Sequence, residues 1–185
     1  MGASLRKGGN ILLTAADPPV RRVLVGLSWN PHTASGAGVD LDETVLLCGE
    51  DRKVLSDAHV VGYDDLEPPA PGGGDRAVGD DDEQVEIDLE TVPDDVQNIV
   101  FAMAIRGAEA RRQTFGTVRD VVMRLVDLRS GAEVARYEIE AETATETAIV
   151  CGELYRHPSG WKFRAVGQGW SDGLAGIARD YGARL

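Results

Sequence analysis

Carboxylates concentrated in two short segments are the residues most able to do chemistry in this sequence. In the first segment Asp40 and Asp42 flank Leu41, so in an extended chain both acids point to one side, about 7 Å apart. Two carboxylates held this close repel each other unless a cation lies between them. Gly36 and Gly38, just before the pair, would let the backbone fold around such an ion. The alternative is a solvated strand face at a sheet edge.

The second segment is a run of four consecutive acids from Asp80 to Glu83, with Asp75 upstream. Between Asp75 and Asp95 the chain holds ten carboxylates and one base, Arg76. Hard cations such as Ca²⁺ take about 6–8 oxygen ligands from loops of this kind, whereas zinc and copper prefer nitrogen or sulfur ligands, which are not close by. The EF-hand spacing is absent, so we expect a calcium cage formed by loops at one end of the fold. The alternative is a solvated run of charges.

The two segments together give a metal-ligand prediction. The first-ranked ligands are Asp40, Asp42, Asp80, Asp81, Asp82 and Glu83, and the second-ranked ligands are Asp64 and Asp75. The expected cofactor is Ca²⁺, which would cancel the repulsion between converging carboxylates and fix the loop between residues 64 and 83. No catalytic residue is predicted, because the three histidines stand far apart and the P-loop, GxSxG, GxGxxG and HExxH patterns are missing. A hydrolase that uses an acid pair is a third alternative.

The charge balance limits the partners of this chain. There are 31 acids and 19 bases, a net charge of −12. Residues 1–95 hold 20 acids and 7 bases, and residues 96–185 hold 11 acids and 12 bases. This negative field repels phosphate backbones, so we expect no nucleic-acid partner, and it attracts metal ions and basic protein surfaces. A metal-free module whose acidic half docks a basic protein is therefore the main alternative to a calcium site.

Length and hydropathy indicate one domain over residues 1–185, with no membrane insertion. The longest apolar run, Ile99 to Ile105, is much shorter than the roughly 18 residues that a membrane span needs. The apolar stretch at 11–13 is too short for a signal peptide, so we expect a cytoplasmic protein. Cys48 and Cys151 stand far apart in apolar stretches, and we expect buried free thiols. A disulfide or a catalytic thiol is the alternative.

The elements that must position the acids are mostly strands. Apolar alternation, continuous apolar runs and turn residues predict strands at 23–29, 85–89, 99–105, 117–127, 134–139, 145–155 and 161–166. Helix is predicted at 108–112 and from Ser171 or Asp172 to Tyr181, with Gly182 as a stop. Residues 67–74 are predicted to form a surface loop. The fold class is therefore mainly β, an antiparallel β-sandwich with short peripheral helices and a short C-terminal helix.

Several strings of this sequence resemble the tellurium-resistance TerD family. They are MGASLRKGGN at 1–10, VGLSW at 25–29, DLD at 40–42, VLSD at 54–57, DDDEQ at 80–84, TETA at 145–148, GELYR at 152–156, WKFRAVGQG at 161–169 and GLAGIA at 173–178. The resemblance follows the whole chain in order. It implies a β-sandwich that binds Ca²⁺ through its two acidic motifs. It also implies a cytoplasmic, non-enzymatic role in bacterial stress response, with other stress-response proteins as partners.

The chain departs from that family at two places near the acids. Arg106 and Gly107 stand where the family often has a Tyr-Asp pair after the central buried strand, so a cation replaces an expected ligand. The stretch before the second acidic run holds Arg76 where the family usually carries a longer ladder of glycines and acids. Asp64 and Asp65, after Tyr63, would restore some of the lost charge. These departures predict a reduced ion site, with one ion rather than two, or none.

Overall fold

The structure is a computed structural model that describes residues 2–14, 18–30, 38–62, 81–140 and 145–184. Within these ranges the strands are Ala3–Leu5 (β1), Asn10–Leu12 (β2), Arg22–Asn30 (β3), Leu41–Cys48 (β4), Val60–Val61 (β5), Glu83–Asp88 (β6), Asn98–Ile105 (β7), Arg119–Asp127 (β8), Ala132–Glu138 (β9), Ala148–His157 (β10) and Gly160–Trp170 (β11). The α-helices are Ala108–Arg111 (α1) and Gly173–Tyr181 (α2), and short 3₁₀ turns lie at Asp57–His59 and Phe115–Thr117.

The strands form two sheets that pack face to face. One sheet has the order β1-β9-β8-β3-β6 and the other has the order β2-β11-β10-β7-β4-β5. Neighbouring strands in the described ranges run antiparallel, apart from β1 and β9, which are parallel. The predicted mainly β sandwich is confirmed, with this one parallel pairing added.

Strand β7 lies at the centre of the six-stranded sheet and is buried on both faces. Phe101 and Met103 point into the main core between the sheets. Val100 and Ala102 point to the other face, where a second apolar cluster lies. A strand buried on both sides carries a continuous apolar run, so the fully buried strand predicted at 99–105 is confirmed.

Helix α2 covers the outer face of the six-stranded sheet. Its Ile177 is buried against that second cluster, together with Trp170 at the end of β11. Gly182 ends the helix with a left-handed φ of 72°, and Asp172 occupies the N-cap position, as predicted. The Asp172 carboxylate accepts a bond from Arg179 at 2.7 Å and makes no capping bond. No helix in the described ranges is long and apolar enough to cross a membrane.

Apolar alternation does not identify strand β4, and the short strands β1, β2 and β5 were not predicted either. Asp42, Glu43 and Thr44 interrupt the pattern of β4, and the apolar run at 45–48 follows without alternation. Pairing with β7 on one side and β5 on the other nevertheless makes β4 an inner strand of the sheet. Leu41 enters the core, while Asp40 and Asp42 both lie beside Arg106, so the two acids share one side as predicted.

A buried acid ties together the outer surface of the six-stranded sheet. Glu153 on β10 is fully buried and accepts bonds from Arg52 at 2.5 Å and from Arg164. Arg164 in turn lies over the ring of Tyr155, with 5.6 Å from its guanidinium carbon to the ring centroid. This network joins the turn after β4 to β10 and β11.

Glu153→Gln is expected to lower the free energy of unfolding by about 2 kcal/mol, because a buried acceptor of two charge-assisted bonds is weakened. Thermal or urea unfolding measures the loss. The matched control is Glu90→Gln, since Glu90 pairs with Arg21 on the exposed surface, and such pairs contribute about 0–1 kcal/mol. Equal effects of the two substitutions would contradict a stabilising role for the Glu153 network.

Candidate metal centre

The described acids of the two segments, Asp40 and Asp42 in the first and residues 81–83 in the second, meet at one end of the sandwich. The first lies at the start of β4 in the six-stranded sheet, and the second leads into β6 in the five-stranded sheet. Partial burial, together with repulsion from Asp42 and Asp82, raises the pKa of Glu83. This coupling between Asp42 and Glu83 shows that the sheets bring both segments within electrostatic reach of each other.

Glu43 is a site residue that the sequence prediction missed. Its neighbours Leu41 and Val45, two residues away on either side, lie in the core between the sheets, so Glu43 faces the interior. Burial, and then repulsion from Glu83, raises its pKa from 4.5 to about 8. The signal that would have revealed it is an acid at an interior position of an otherwise apolar strand face.

The Glu43 carboxyl group lacks hydrogen bonds from the described residues at one of its oxygens. Its Oε1 atom is buried and has no hydrogen-bond partner in the described part of the chain. Glu83 faces it from the other sheet, since Val85 and Ile87 on the same face of β6 pack in the main core. A buried charged oxygen without a partner is costly, so this pair either keeps a proton or takes a cation.

Asp40 and Asp42 already have a positively charged neighbour. Arg106 donates two bonds to Asp42, from Nε to Oδ2 at 2.8 Å and from the second guanidinium nitrogen to Oδ1 at 3.1 Å. The same Nε lies 3.9 Å from Oδ2 of Asp40. The Asp42 side chain is 17% exposed and that of Arg106 is 46% exposed. The first predicted carboxylate pair is therefore neutralised in part by the chain itself.

Asp81 is held by a second arginine. Nε of Arg124 donates to both carboxylate oxygens of Asp81, at 2.7 and 2.9 Å, and Gln84 donates to one of them at 3.2 Å. The carboxylate packs directly over Gly26, where a Cβ atom would lie 2.0 Å from Asp81 Oδ2. Asp81 therefore joins the second acidic segment to β3 and β8 by a buried ion pair.

The remaining predicted ligands divide into described and undescribed residues. Asp82 accepts a bond from the backbone N–H of Trp29 at 2.9 Å. Asp64, Asp75 and Asp80, together with Gly36, Arg76 and the loop predicted at 67–74, lie outside the described residues. Within the ranges that the structure does describe, no three His, Cys, Asp or Glu side chains are grouped so as to hold a metal ion.

The donor atoms at this end are of the type that a hard cation prefers, but the described residues supply fewer of them than the roughly 6–8 oxygens that Ca²⁺ takes. Every side chain of Asp42, Glu43, Asp82 and Glu83 offers oxygen only, which suits Ca²⁺ rather than zinc or copper. The buried Oε1 atom of Glu43 is a candidate ligand atom, because it has no hydrogen-bond partner in the described ranges. Arginine, however, holds Asp42 and Asp81, so a calcium ion would have to displace Arg106 or bind mainly between Glu43 and Glu83.

The two cysteines are free and buried, as predicted. Burial raises the pKa of Cys48 to about 12 and that of Cys151 well above its ordinary value. Both side chains are therefore neutral thiols at physiological pH and poor nucleophiles.

Comparison with known proteins identifies the family. The TerD domain model matches residues 1–181. The chain is 43% identical over 188 residues to the tellurium resistance protein TerD of Serratia marcescens, which covers 98% of each chain. This chain belongs to the TerD family. It is also 39% identical over 196 residues to general stress protein 16U of Bacillus subtilis (strain 168), with both chains covered in full.

A solved structure agrees with the fold of this TerD-family chain. The crystal structure of a homologue of telluride resistance protein (TerD) from Streptomyces coelicolor A3(2) superposes with a TM-score of 0.64 at 20% identity. The match covers 90% of this chain and 99% of the other. At this identity the likeness supports the sandwich architecture alone.

The raised pKa of Glu43 gives stability a pH dependence with a definite sign. The folded state holds a proton up to about pH 8, whereas an unfolded glutamate loses it near its ordinary pKa of about 4.3. Stability in chelator should therefore fall as pH rises between these values, and Glu43→Gln, which is neutral throughout, should remove that part of the fall.

Chemical unfolding of wild type and Glu43→Gln at pH 5 and pH 8 measures this effect. From pH 5 to pH 8 the free energy of unfolding of the variant should rise by at least about 1 kcal/mol relative to that of the wild type. Glu138→Gln, at an exposed position of β9, is the control and should follow the wild type. Parallel curves for Glu43→Gln and wild type would show that Glu43 ionises normally in the folded protein.

Proposed function

We propose that this chain is a calcium-binding, non-enzymatic stress-response protein whose acidic sandwich end becomes ordered around Ca²⁺. The observation that carries the proposal is the inward-facing pair of Glu43 and Glu83. One buried oxygen of this pair has no hydrogen-bond partner among the described residues, and both groups have raised pKa values. A divalent cation would remove the repulsion and satisfy the unpartnered oxygen.

The proposed ligands come from both sheets. Asp42, Glu43 and Asp82 each lie within electrostatic reach of Glu83, and these four acids form the set. Asp40 flanks this set, and Asp64, Asp75 and Asp80 remain predicted ligands from the undescribed segment. Asp81 takes the role of a structural anchor, because Arg124 binds both of its oxygens.

The non-enzymatic part of the proposal extends the expectation from the sequence, which carries none of the common catalytic motifs. A cavity of about 540 Å³ lies beside α1 and the start of α2, and its lining includes Glu109, Arg112 and Asp172. Among the described residues that lining contains no histidine or cysteine, so any acid–base chemistry there would depend on its carboxylates. The thiols of Cys48 and Cys151 are buried and have raised pKa values, so they are poorly suited to redox chemistry on an oxyanion.

A metal-free interaction module is the second candidate function. The observation that favours it is the pair of ion pairs Asp42–Arg106 and Asp81–Arg124, which supply internal cations where metal ligands were predicted. In that case the acidic half would dock a basic protein surface. Binding to such a partner should weaken steeply with salt and should not depend on Ca²⁺.

The physiological setting belongs to the same proposal. The relatives named above include a tellurium resistance protein and a general stress protein. We infer that this chain acts in the cytoplasm with other stress-response proteins as partners, through a surface that the cation-bound acidic end presents. Nucleic acid is not among the expected partners, because the net charge is −12.

Titration of Ca²⁺ into chelator-stripped protein tests the calcium site, with Mg²⁺ as the comparison ion. Saturable binding is expected, and Ca²⁺ at about 100 times its Kd should stabilise the fold by about 2.7 kcal/mol. Glu83→Gln and Asp42→Asn should each weaken the affinity at least about tenfold, since each removes a carboxylate ligand.

Asp94→Asn is the matched control, because Asp94 is an exposed acid in the loop before β7. It should bind Ca²⁺ as the wild type does. An affinity that Asp42→Asn leaves unchanged would remove Asp42 from the ligand set. The absence of any binding heat and of any thermal shift would overturn the calcium function in favour of the metal-free module.

A further inference from the structure

Arg106 is fixed beside the acidic end by its backbone. It follows directly after β7, and its N–H donates to the carbonyl oxygen of Asp40 at 2.9 Å. The side chain therefore begins next to the start of β4. From there its guanidinium spans both acids, with two bonds to Asp42 and a 3.9 Å approach to Asp40.

The guanidinium takes the place that a cation would take at this carboxylate pair. It stays charged at every physiological pH, and its planar fork matches the two oxygens of one carboxylate. Both oxygens of Asp42 are used in this way. A metal ion that binds Asp42 must therefore compete with two charge-assisted bonds and approach a fixed positive charge.

The carboxylates on the two sides of β4 consequently have different electrostatic surroundings. Asp40 and Asp42, on one side, have Arg106 as their counter-charge. Glu43, on the interior side, faces Glu83 and has a buried oxygen without a hydrogen-bond partner in the described residues. Within the part of the chain that the structure describes, Asp40 and Asp42 thus have an arginine beside them, whereas Glu43 and Glu83 form a pair of like charges.

We infer that Arg106 is a tethered counter-cation that competes with Ca²⁺ for Asp42 and thereby lowers the affinity, or the number, of the metal ions bound at the acidic end. The inference rests on the proposed function for the identity of the ion. In this inference one side chain, Arg106, controls how many ions bind and how tightly. The inference also holds if Arg106 prevents calcium binding by the wild type altogether.

Calorimetric titration of Ca²⁺ into wild type, Arg106→Gln and Arg106→Lys tests the inference, with thermal unfolding in chelator as a check that each variant folds. Arg106→Gln should bind Ca²⁺ on the order of tenfold more tightly, or take up one additional ion, because a competing charge is removed. Arg106→Lys keeps the charge without the planar fork, so it should lie between the two.

Arg22→Gln is the matched control for net charge. Arg22 pairs with Glu86 at the opposite end of β3, away from the acids of the site. It should leave calcium binding unchanged. A gain in affinity for Arg22→Gln equal to that of Arg106→Gln would overturn the inference, because the effect would then reflect overall charge alone.

The outcomes separate this inference from the calcium function. Suppose that the wild type binds Ca²⁺, and that both Arg106→Gln and Arg106→Lys bind it with unchanged affinity and stoichiometry. The inference about Arg106 is then wrong, and the calcium function stands. If only the Arg106 variants bind, the tethered cation is supported and the wild type is a metal-free module. If none of these proteins binds, both proposals fail.

Discussion

Repulsion among carboxylates that two sheets bring to one end of the sandwich is the constraint on which the rest of this site depends. Strands β4 and β6 belong to different sheets, and packing of the shared core places their acidic starts together. Each carboxylate must then find a positive charge, a proton or a metal ion. Arg106 and Arg124 neutralise one acid from each segment, and the inward-facing Glu43 and Glu83 are left to share a proton or to bind a cation.

The same constraint links the fold to its proposed role. Most of the sandwich is an ordinary apolar core with α2 packed on its outer face, and the packing of the two sheets holds their carboxylates close to one another. Free energy stored as repulsion at one end makes that end responsive, because a cation that binds only the folded state stabilises it. A TerD-family protein of this kind would change the order and charge of one surface while the rest of the domain stays the same.

The sequence was sufficient for the parts of the structure that follow from local patterns. Continuous apolar residues predicted β7, the glycine at 182 predicted the end of α2, and DLD spacing placed Asp40 and Asp42 on one side. Glu43 was missed because its environment is created by the opposite sheet, and only the packing of β6 against β4 places Glu83 before it. The bonds of Arg106 and Arg124 were equally hidden, since each joins residues more than 40 positions apart and depends on sheet order.

The most direct test of the carboxylate account is a pH titration of the Glu43 and Glu83 side-chain carboxyl carbons by NMR, in chelator and then with saturating Ca²⁺. The account predicts that Glu43 titrates near pH 8 in chelator, that Glu83 also titrates above its ordinary value, and that Ca²⁺ lowers both midpoints. Ordinary midpoints near 4.3 for both groups, unchanged by Ca²⁺, would contradict it, because the two carboxylates would then neither repel each other nor bind a cation.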